Sequence, residues 1–425
     1  MRTHAVHTPL HRAATRRARF ATVPAALVAL AALCLCPLMT GAATITVDVS
    51  GAGDHLTIQA GLDAAIDGDT VQVAPGTYTG GDNRNLDFGT KNLVLQSQGG
   101  ASVTIIDAQA AGDRVFDFTG TGQDTSCVID GFTIRGGRTT FEDGAAIRCV
   151  ASVPKVVSCR FEDNQATGGD GGAIAMSSGA HAVVRDCVFV SNAATRGGAI
   201  HASGNSSPKL SACLFQGNAA ADEGGAFYLG SNSGIALATG CVFLENHSGV
   251  NGGAITCEVG SLNATDCTLL RNTADEGGGA VHASEGATAF LTSCTFVGNE
   301  AALQGGCLRA SENTYWCVLS QCIVAFTGPC NQRTVYADGT SAVTLNFSCA
   351  YGNTPGDNLP HSPDDYFIAD PLFCDVTADN LTLAENSPCL PGNNPWGFLI
   401  GSYGEGCTLS PVEERSWSSI KAMYR

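Results

Sequence analysis

Residues 187–212 read CVFVSNAATRGGAIHASGNSSPKLSA, and residues 213–240 read CLFQGNAAADEGGAFYLGSNSGIALATG. Laid over one another they share Cys-x-Phe-x-x-Asn followed by Gly-Gly-Ala-apolar. Outward from this pair the same two elements recur. The first is present at Cys159/Phe161/Asn164, Cys187/Phe189/Asn192, Cys213/Phe215/Asn218, Cys241/Phe243/Asn246 and Cys294/Phe296/Asn299. At Cys267 and Asn272 the Phe is replaced by Leu269, and Cys322 with Val324 closes the series without the Asn. The second element stands at Gly171, Gly197, Gly224, Gly252 and Gly278, with weaker copies at Gly144 and Gly305. Successive cysteines are 28, 26, 28, 26, 27 and 28 residues apart.

A period near 27 with two short runs of strand alternation, separated by Gly, Asn and Ser, and with no 3.6-residue pattern, describes one coil of a solenoid. A single coil cannot bury its own apolar face, so neighbours must stack. Stacked coils lie about 4.8 Å apart and pair as parallel ladders, which places like residue on like residue. The expected fold is all-β: a right-handed parallel β-helix solenoid with an N-terminal capping helix and a loop-rich C-terminal end. Cys and Phe, two apart, share an inward face and form columns. Asn, three after Phe, falls in a turn, where amides of adjacent coils bond as a ladder. The structural ladders are therefore Asn164, Asn192, Asn218, Asn246, Asn272 and Asn299, and Cys159, Cys187, Cys213, Cys241, Cys267, Cys294 and Cys322. Cys149 and Cys257 share a phase in the other strand. These thiols read as small buried hydrophobes. Inter-coil pairing is poorly served by parallel Cβ vectors. Cys330, Cys349, Cys374, Cys389 and Cys407 lie in loop-rich sequence and are the disulfide candidates, with connectivity open.

The first 43 residues carry five arginines and no acid, followed by an apolar run from about Ala21 to Met39 and the small residues Gly41-Ala42-Ala43. This is the pattern of a signal peptide cleaved before Thr44. Phe20 sits one place late for a twin-arginine motif at Arg16-Arg17. No later stretch is long and apolar enough to span a bilayer, so no transmembrane segment is expected after cleavage. The expected location is the cell surface or exterior of a bacterium. Removing five arginines takes the net charge from −17 to −22. Such a surface repels phosphate backbones, which argues against nucleic acid. The division expected is 1–43 signal peptide, 44–140 N-terminal cap and first coils, 141–339 repeat coils, 340–407 terminal coils and cap, and 408–425 a tail, read as either a disordered end or a sorting signal. Thr57 is placed to cap a short helix from Ile58 to Ile66 that covers the end of the stack.

The Gly-Gly-Ala-Ile and Phe-x-x-Asn elements resemble the repeats of chlamydial polymorphic outer membrane proteins, which are autotransporter adhesins. Ile58 to Tyr78 resembles the opening coil of the pectin lyase-like superfamily. Asp370-Pro371-Leu372-Phe373, Ser387-Pro388-Cys389 and Ile400-Gly401-Ser402-Tyr403 resemble the last coils of bacterial right-handed β-helix repeat proteins. These resemblances imply the fold more than an activity. After Cys407 only 18 residues remain, too few for an autotransporter's membrane barrel.

No catalytic set is legible, and no cofactor is expected. The paired acids Asp364-Asp365 stand without the companions that glycoside hydrolysis needs. Asp170, Asp222, Glu223, Asp275 and Glu276 precede the glycine pairs and would be the ligands of any Ca²⁺. Neighbouring coils offer Arg196, Asn251 and Gln304 instead, so solvated turn acids are the default. The residue after the apolar one in Gly-Gly-Ala-apolar should point outward. Down the stack this column reads Arg148, Ala175, His201, Tyr228, Thr256 and His282, a surface able to contact sugar rings. Two functions stand open. One is a non-enzymatic adhesion, envelope or extracellular structural protein meeting glycans or cell-surface components. The other is a polysaccharide-binding or polysaccharide-degrading protein of the pectin lyase type. Acids and arginines gathered on one face would favour the second.

Overall fold

The computed structural model describes residues 41–119, 122–331, 333–354, 356–357, 359 and 365–408. Residues 1–40, which hold most of the expected signal sequence, the tail beyond 408 and Asp364 lie outside the described residues. Between them runs a parallel solenoid with four strands per repeat coil. Taking one coil, Val188–Val190, Ala193–Ala194, Ile200–Ala202 and Lys209–Ser211 follow in order, and Leu214–Gln216 begins the next. Each strand pairs in parallel with its counterpart one coil on, building four stacked sheets. A nine-stranded front sheet runs from Phe116–Thr119 to Val335–Ala337. A twelve-stranded back sheet runs from Thr44–Val47 to Val343–Asn346. A twelve-stranded Phe sheet runs from Gly76–Tyr78 to Tyr366–Ile368. A seven-stranded sheet of two- and three-residue strands links the Phe sheet to the front sheet. Reading two strands per coil from sequence missed the two-residue strands, which are too short to show alternation, and the back-sheet strands such as Lys209–Ser211, which carry neither repeat element.

The register stacks like on like. Phe161, Phe189, Phe215 and Phe243 are paired Cα to Cα. Their rings lie 4.7–4.8 Å apart and within 5° of parallel. The inner faces bury one continuous apolar core, with Ile174, Ile200, Phe227 and Ile255 from the front sheet and Val184 and Leu210 from the back. Because every coil repeats the same cross-section, no residue of this core needs a partner far along the chain.

The asparagines form a closed hydrogen-bond column with no exposure. Asn192 donates from Nδ2 to Asn218 Oδ1 at 3.0 Å, and Asn218 does the same to Asn246 at 2.9 Å. The second Nδ2 proton goes to a carbonyl of the Phe sheet, Phe161 for Asn192 and Phe189 for Asn218. Each Oδ1 also accepts the backbone N–H of the asparagine before it. Buried amides are stable there because every donor and acceptor is used. The column extends past the coil that lacks Asn: Thr327 N–H donates to Asn353 Oδ1, and Asn353 Nδ2 donates to the Val324 carbonyl. The repeat register therefore continues beyond residue 339, through Val343–Asn346, Ser348–Tyr351 and Tyr366–Ile368.

Corners are made by left-handed residues with side chains. Ser158, Asp186, Ala212, Asp266, Ser293 and Gln321 each precede a column cysteine. Asp163, Ser191, Glu245 and Arg271 each precede a column asparagine. All have φ between 51° and 58° except Ala212, at 50°. The bends are overdetermined by the ladders on both sides, which hold a conformation that costs about 1 kcal/mol per non-Gly residue.

The cysteine column is buried, and its thiols donate to backbone carbonyls such as Val184 O from Cys213. Burial pushes the column thiol of Cys294 well above its usual value, far from the thiolate form that reacts. Of the five late cysteines, Cys374 and Cys407 are joined by a disulfide. Cys349 and Cys389 are buried thiols, and Cys330 is half-buried. A small maleimide added to the folded protein under non-reducing conditions is therefore expected to label Cys330 first, with the column labelled only after denaturation. Peptide mapping that found Cys213 or Cys241 labelled in the native state would show the column to be open.

At the N-terminal side a helix, Ile58–Ala64, starts at Thr57, whose side chain accepts from Ala60 N–H. Its Ile58 and Leu62 are buried in the core. At the other end a small sheet, Phe373–Asp375, Asn380–Ala384 and Glu405–Cys407, folds back onto the outer side of the Phe sheet. Leu270, Val297 and Ile323, which point away from the solenoid core, pack there with Phe373, Leu383 and Ile400. Ser402 N–H and Oγ both reach Thr295 Oγ1 at 2.9 Å, Tyr403 Oη lies 3.0 Å from Thr268 Oγ1, and Gly401 N–H donates to Gln321 O at 2.7 Å.

Candidate functional site: a polar pocket on the front sheet

The outward column of the front sheet is continuous in register: Arg148, Ala175, His201, Tyr228, Thr256, His282 and Arg309 pair in sequence. It points away from the core as expected but is not an open surface. Tyr228 is 2 % and His282 3 % exposed, and His201 and Thr256 are also buried. The expectation of exposed sugar-facing side chains is thus corrected. The turns before each glycine pair rise beside the sheet and wall the column in. At Gly197, Gly224, Gly252 and Gly278, φ lies between +61° and +66°. A Cβ at any of the four would fall 2.2–2.6 Å from the carbonyl oxygen three residues on. Only glycine folds the turn this close.

The walls bring the turn acids onto the column. Asp170 takes Arg196 Nη2 at 2.6 Å and stands 3.6 Å from His201 Nε2. Burial pulls the His201 imidazole below its usual value, opposed by Asp170. His201 stacks on Tyr228 with centroids 5.4 Å apart, and the Arg196 guanidinium lies 5.0 Å over the other ring's centroid, that of Tyr228. Arg148 sits apart from this group, paired with Asp117 at 2.6 Å. Thr256 Oγ1 donates to the Asn251 carbonyl.

A pocket of about 240 Å³ opens between Arg196 and Glu312. Asn251 Nδ2 donates to Glu223 Oε1 at 2.8 Å, and Arg309 Nη1 donates to Asn251 Oδ1 at 2.6 Å. His282 Nε2 is 2.9 Å from Ser311 Oγ, while its Nδ1 has no hydrogen-bond partner and lies 3.6 Å from Glu223 Oε1. Burial raises the Glu223 carboxyl, but His282, Asn251 and Arg309 outweigh it and hold the group below the ordinary range. Glu258 goes the other way. Burial and the neighbouring Glu285 charge push it up to about 7. Asp222 is also raised, by burial and then by Glu223.

The acids Asp222 and Glu223 and the column residues Tyr228 and His282 were legible as separate phases of the repeat, and the structure joins them. Glu258, Glu285 and Glu312 were not. They follow Thr256, His282 and Arg309 by two, three and three residues, an offset that coil-length variation hides. Asp275 and Glu276 do not line the pocket. Among the described residues no three His, Cys, Asp or Glu side chains converge as metal ligands.

Glu258 gives a pH signature. Its folded value lies above the unfolded one, so its contribution to stability is fully present below about pH 4.5 and is lost as pH rises through about 7. Glu258→Gln is expected to flatten that part of the stability–pH curve in denaturant titrations between these limits. An unchanged slope would mean that Glu258 titrates normally.

A family model described as a right handed beta helix region matches residues 118–314. With the parallel register above, it makes the solenoid a right-handed β-helix. No curated protein matches the sequence. Among solved structures, a pectin methylesterase from carrot aligns at 12 % identity over 77 % of this chain and 88 % of its own, with a TM-score of 0.32. A PL6 family alginate lyase aligns at 10 % identity over 87 % of this chain, with a TM-score of 0.28. The chain spans 59 % of that lyase's length.

Proposed function

We propose that this is an exported bacterial β-helix repeat protein that acts at the cell surface or outside the cell, in adhesion or envelope contact, and binds a glycan in its front pocket. The observation that carries the reading is the pocket itself: hydrogen-bonding side chains gathered on a walled column, among them Asn251, His282, Ser284 and Ser311. A site dense in donors and acceptors suits a ligand dense in hydroxyls. Export rests on the basic, apolar and small-residue order of the first 43 residues. The Gly-Gly-Ala-Ile and Phe-x-x-Asn elements add the resemblance to polymorphic outer membrane protein repeats. Within this reading the helix Ile58–Ala64 serves as the N-terminal cap, and the Asn and Cys columns serve the scaffold.

A second reading, polysaccharide cleavage, is favoured by two observations: acids and arginines gather on the front face, and Glu258, pushed up to about 7, can keep a proton near neutral pH, which a general acid requires. The deciding experiment is a screen of residues 44–425 against acidic and neutral polysaccharides with and without Ca²⁺. It follows binding, new reducing ends and unsaturated-sugar absorbance. Binding without products is the expected result. Products that vanish in Glu258→Gln would replace the adhesion reading with the enzymatic one, and no binding to any glycan would overturn both.

A further inference from the structure

Ser311, His282 and Glu223 come from three different coils and meet at the pocket wall. His282 and Arg309 are strand partners in the outward column. Ser311 stands two residues past Arg309, on the same outer face one coil on. His282 Nε2 lies 2.9 Å from Ser311 Oγ. Across the ring, Nδ1 faces Glu223 Oε1 at 3.6 Å. Glu223 belongs to the turn before Gly224, two coils back, and is held from its far side by Asn251 Nδ2 at 2.8 Å. Burial raises its carboxyl, but His282, then Asn251 and Arg309, outweigh it, so the group stays ionised. Hydroxyl, imidazole and carboxylate standing in that order make up the arrangement that activates a serine as a nucleophile. The contact to Glu223 is longer than a hydrogen bond, as such contacts often are before substrate binds. Positive charge arising on the imidazole draws it in.

We propose that Ser311, His282 and Glu223 form a Ser–His–Glu triad that hydrolyses esters, with small O-acyl groups on a polysaccharide as the substrate class. The substrate class rests on the glycan reading above; the nucleophile does not. With its proton on Nδ1, directed at Glu223, His282 presents the Nε2 lone pair to Ser311. Ser311 Oγ adds to the acyl carbon as its proton passes to Nε2. The bond between that carbon and the sugar oxygen then breaks, and the sugar leaves as an alcohol carrying the proton. Water adds to the acyl group left on Ser311 and gives a proton to Nε2. Ser311 Oγ recovers it as the carboxylic acid departs. Arg309 lines the same pocket, its Nη1 held by Asn251 Oδ1, and is the cation available to the oxyanion of both steps. A pocket of about 240 Å³ is below the size that encloses a drug-sized ligand. It suits an acyl group of a few atoms, with the sugar chain lying outside. Glycosidic bonds stay intact, so this reaction yields neither reducing ends nor unsaturated sugars.

The test begins with a fluorophosphonate probe, which marks activated serines, added to native and to heat-denatured protein and located by peptide mapping. Ser311 is expected to be labelled in the native protein alone. This reading needs no variant, so it holds even where a substitution prevents folding. Turnover of p-nitrophenyl acetate is followed in parallel. Ser311→Ala and His282→Ala should each lower it at least about a hundredfold. Glu223→Gln should lower kcat at least about tenfold with KM and the melting temperature unchanged, a split that a merely structural role would not give. Acetate release from an O-acetylated xylan then tests the substrate class. No label on Ser311, a label on Ser284 instead, or turnover that survives Ser311→Ala overturns the triad, and the glycan reading is then judged by the polysaccharide panel. Label and turnover without acetate from the xylan overturn the polysaccharide ester and leave the nucleophile standing.

Discussion

Gly225→Ala is expected to destabilise the middle of the solenoid by roughly 3–5 kcal/mol, the upper range for a single substitution. Gly225 is the second residue of its glycine pair. A Cβ there would lie 2.1 Å from the Gly253 carbonyl oxygen and 2.5 Å from that of His247, both on the next coil. Neither neighbour is the flexible end of a side chain, so relief needs backbone movement in two coils, and the ladders resist it. Gly172, Gly198, Gly253 and Gly279 meet the same obstruction, so the effect should recur in each. Gly339→Ala is the control: nothing lies within 4 Å of its Cβ position, and a change within about 0.5 kcal/mol is expected. Guanidinium unfolding followed by amide exchange across residues 190–280 reads both. If Gly225→Ala matched Gly339→Ala, coils would not approach as closely as the glycine pairs imply.

Asn218→Ala is expected to cost about as much for a different reason. It removes the acceptor of two donors, Asn192 N–H and Nδ2, both at 3.0 Å. It also removes the donor to Phe189 O and to Asn246 Oδ1. The site has no exposure, so water cannot easily replace the lost partners. Stranding two or more buried polar groups at about 1–3 kcal/mol each gives roughly 3–5 kcal/mol. Asn218→Asp should be no better, because it keeps the oxygens but turns one toward the Phe189 carbonyl and buries a charge. Urea midpoints for both variants check this. A variant as stable as the parent would mean that a water fills the gap. Asn299 lies at the edge of the unbroken run, its Nδ2 donating to Leu269 O, so Asn299→Ala should cost less.

The repeat could be read because its physics is local and recurs. Gly-Gly before Ala, Phe two after Cys, and Asn three after Phe are each tied to one steric or hydrogen-bonding need, and stacking multiplies the signal. The corner residues were silent for the opposite reason. Ser, Asp, Ala and Arg at φ near +50° have no compositional signature, since the ladders on each side impose the bend. Asn353 was missed because Ala350 stands where Phe would mark the coil. The pocket was half legible. Its walls belong to the glycine turns and its floor to the outward column, both in fixed phase. The acids that give it its charge follow the column at a variable distance, and only the folded coils bring them together. The expectation of an exposed column failed because sequence phase gives the direction of a side chain and not the height of the turns beside it.

The C-terminal fold-back gives the stack a direction of failure. Its contacts to Thr268, Thr295 and Gln321 straddle three successive rungs, and its own ends are tied by Cys374–Cys407. A ladder of near-identical rungs has no intrinsic weak point, but one clamped across three rungs at a single end behaves like a zipper with its slider fixed there. Unravelling should therefore travel from the N-terminal coils toward the clamp, with amide exchange fading along the same path. Cutting the disulfide would let the array open from both ends.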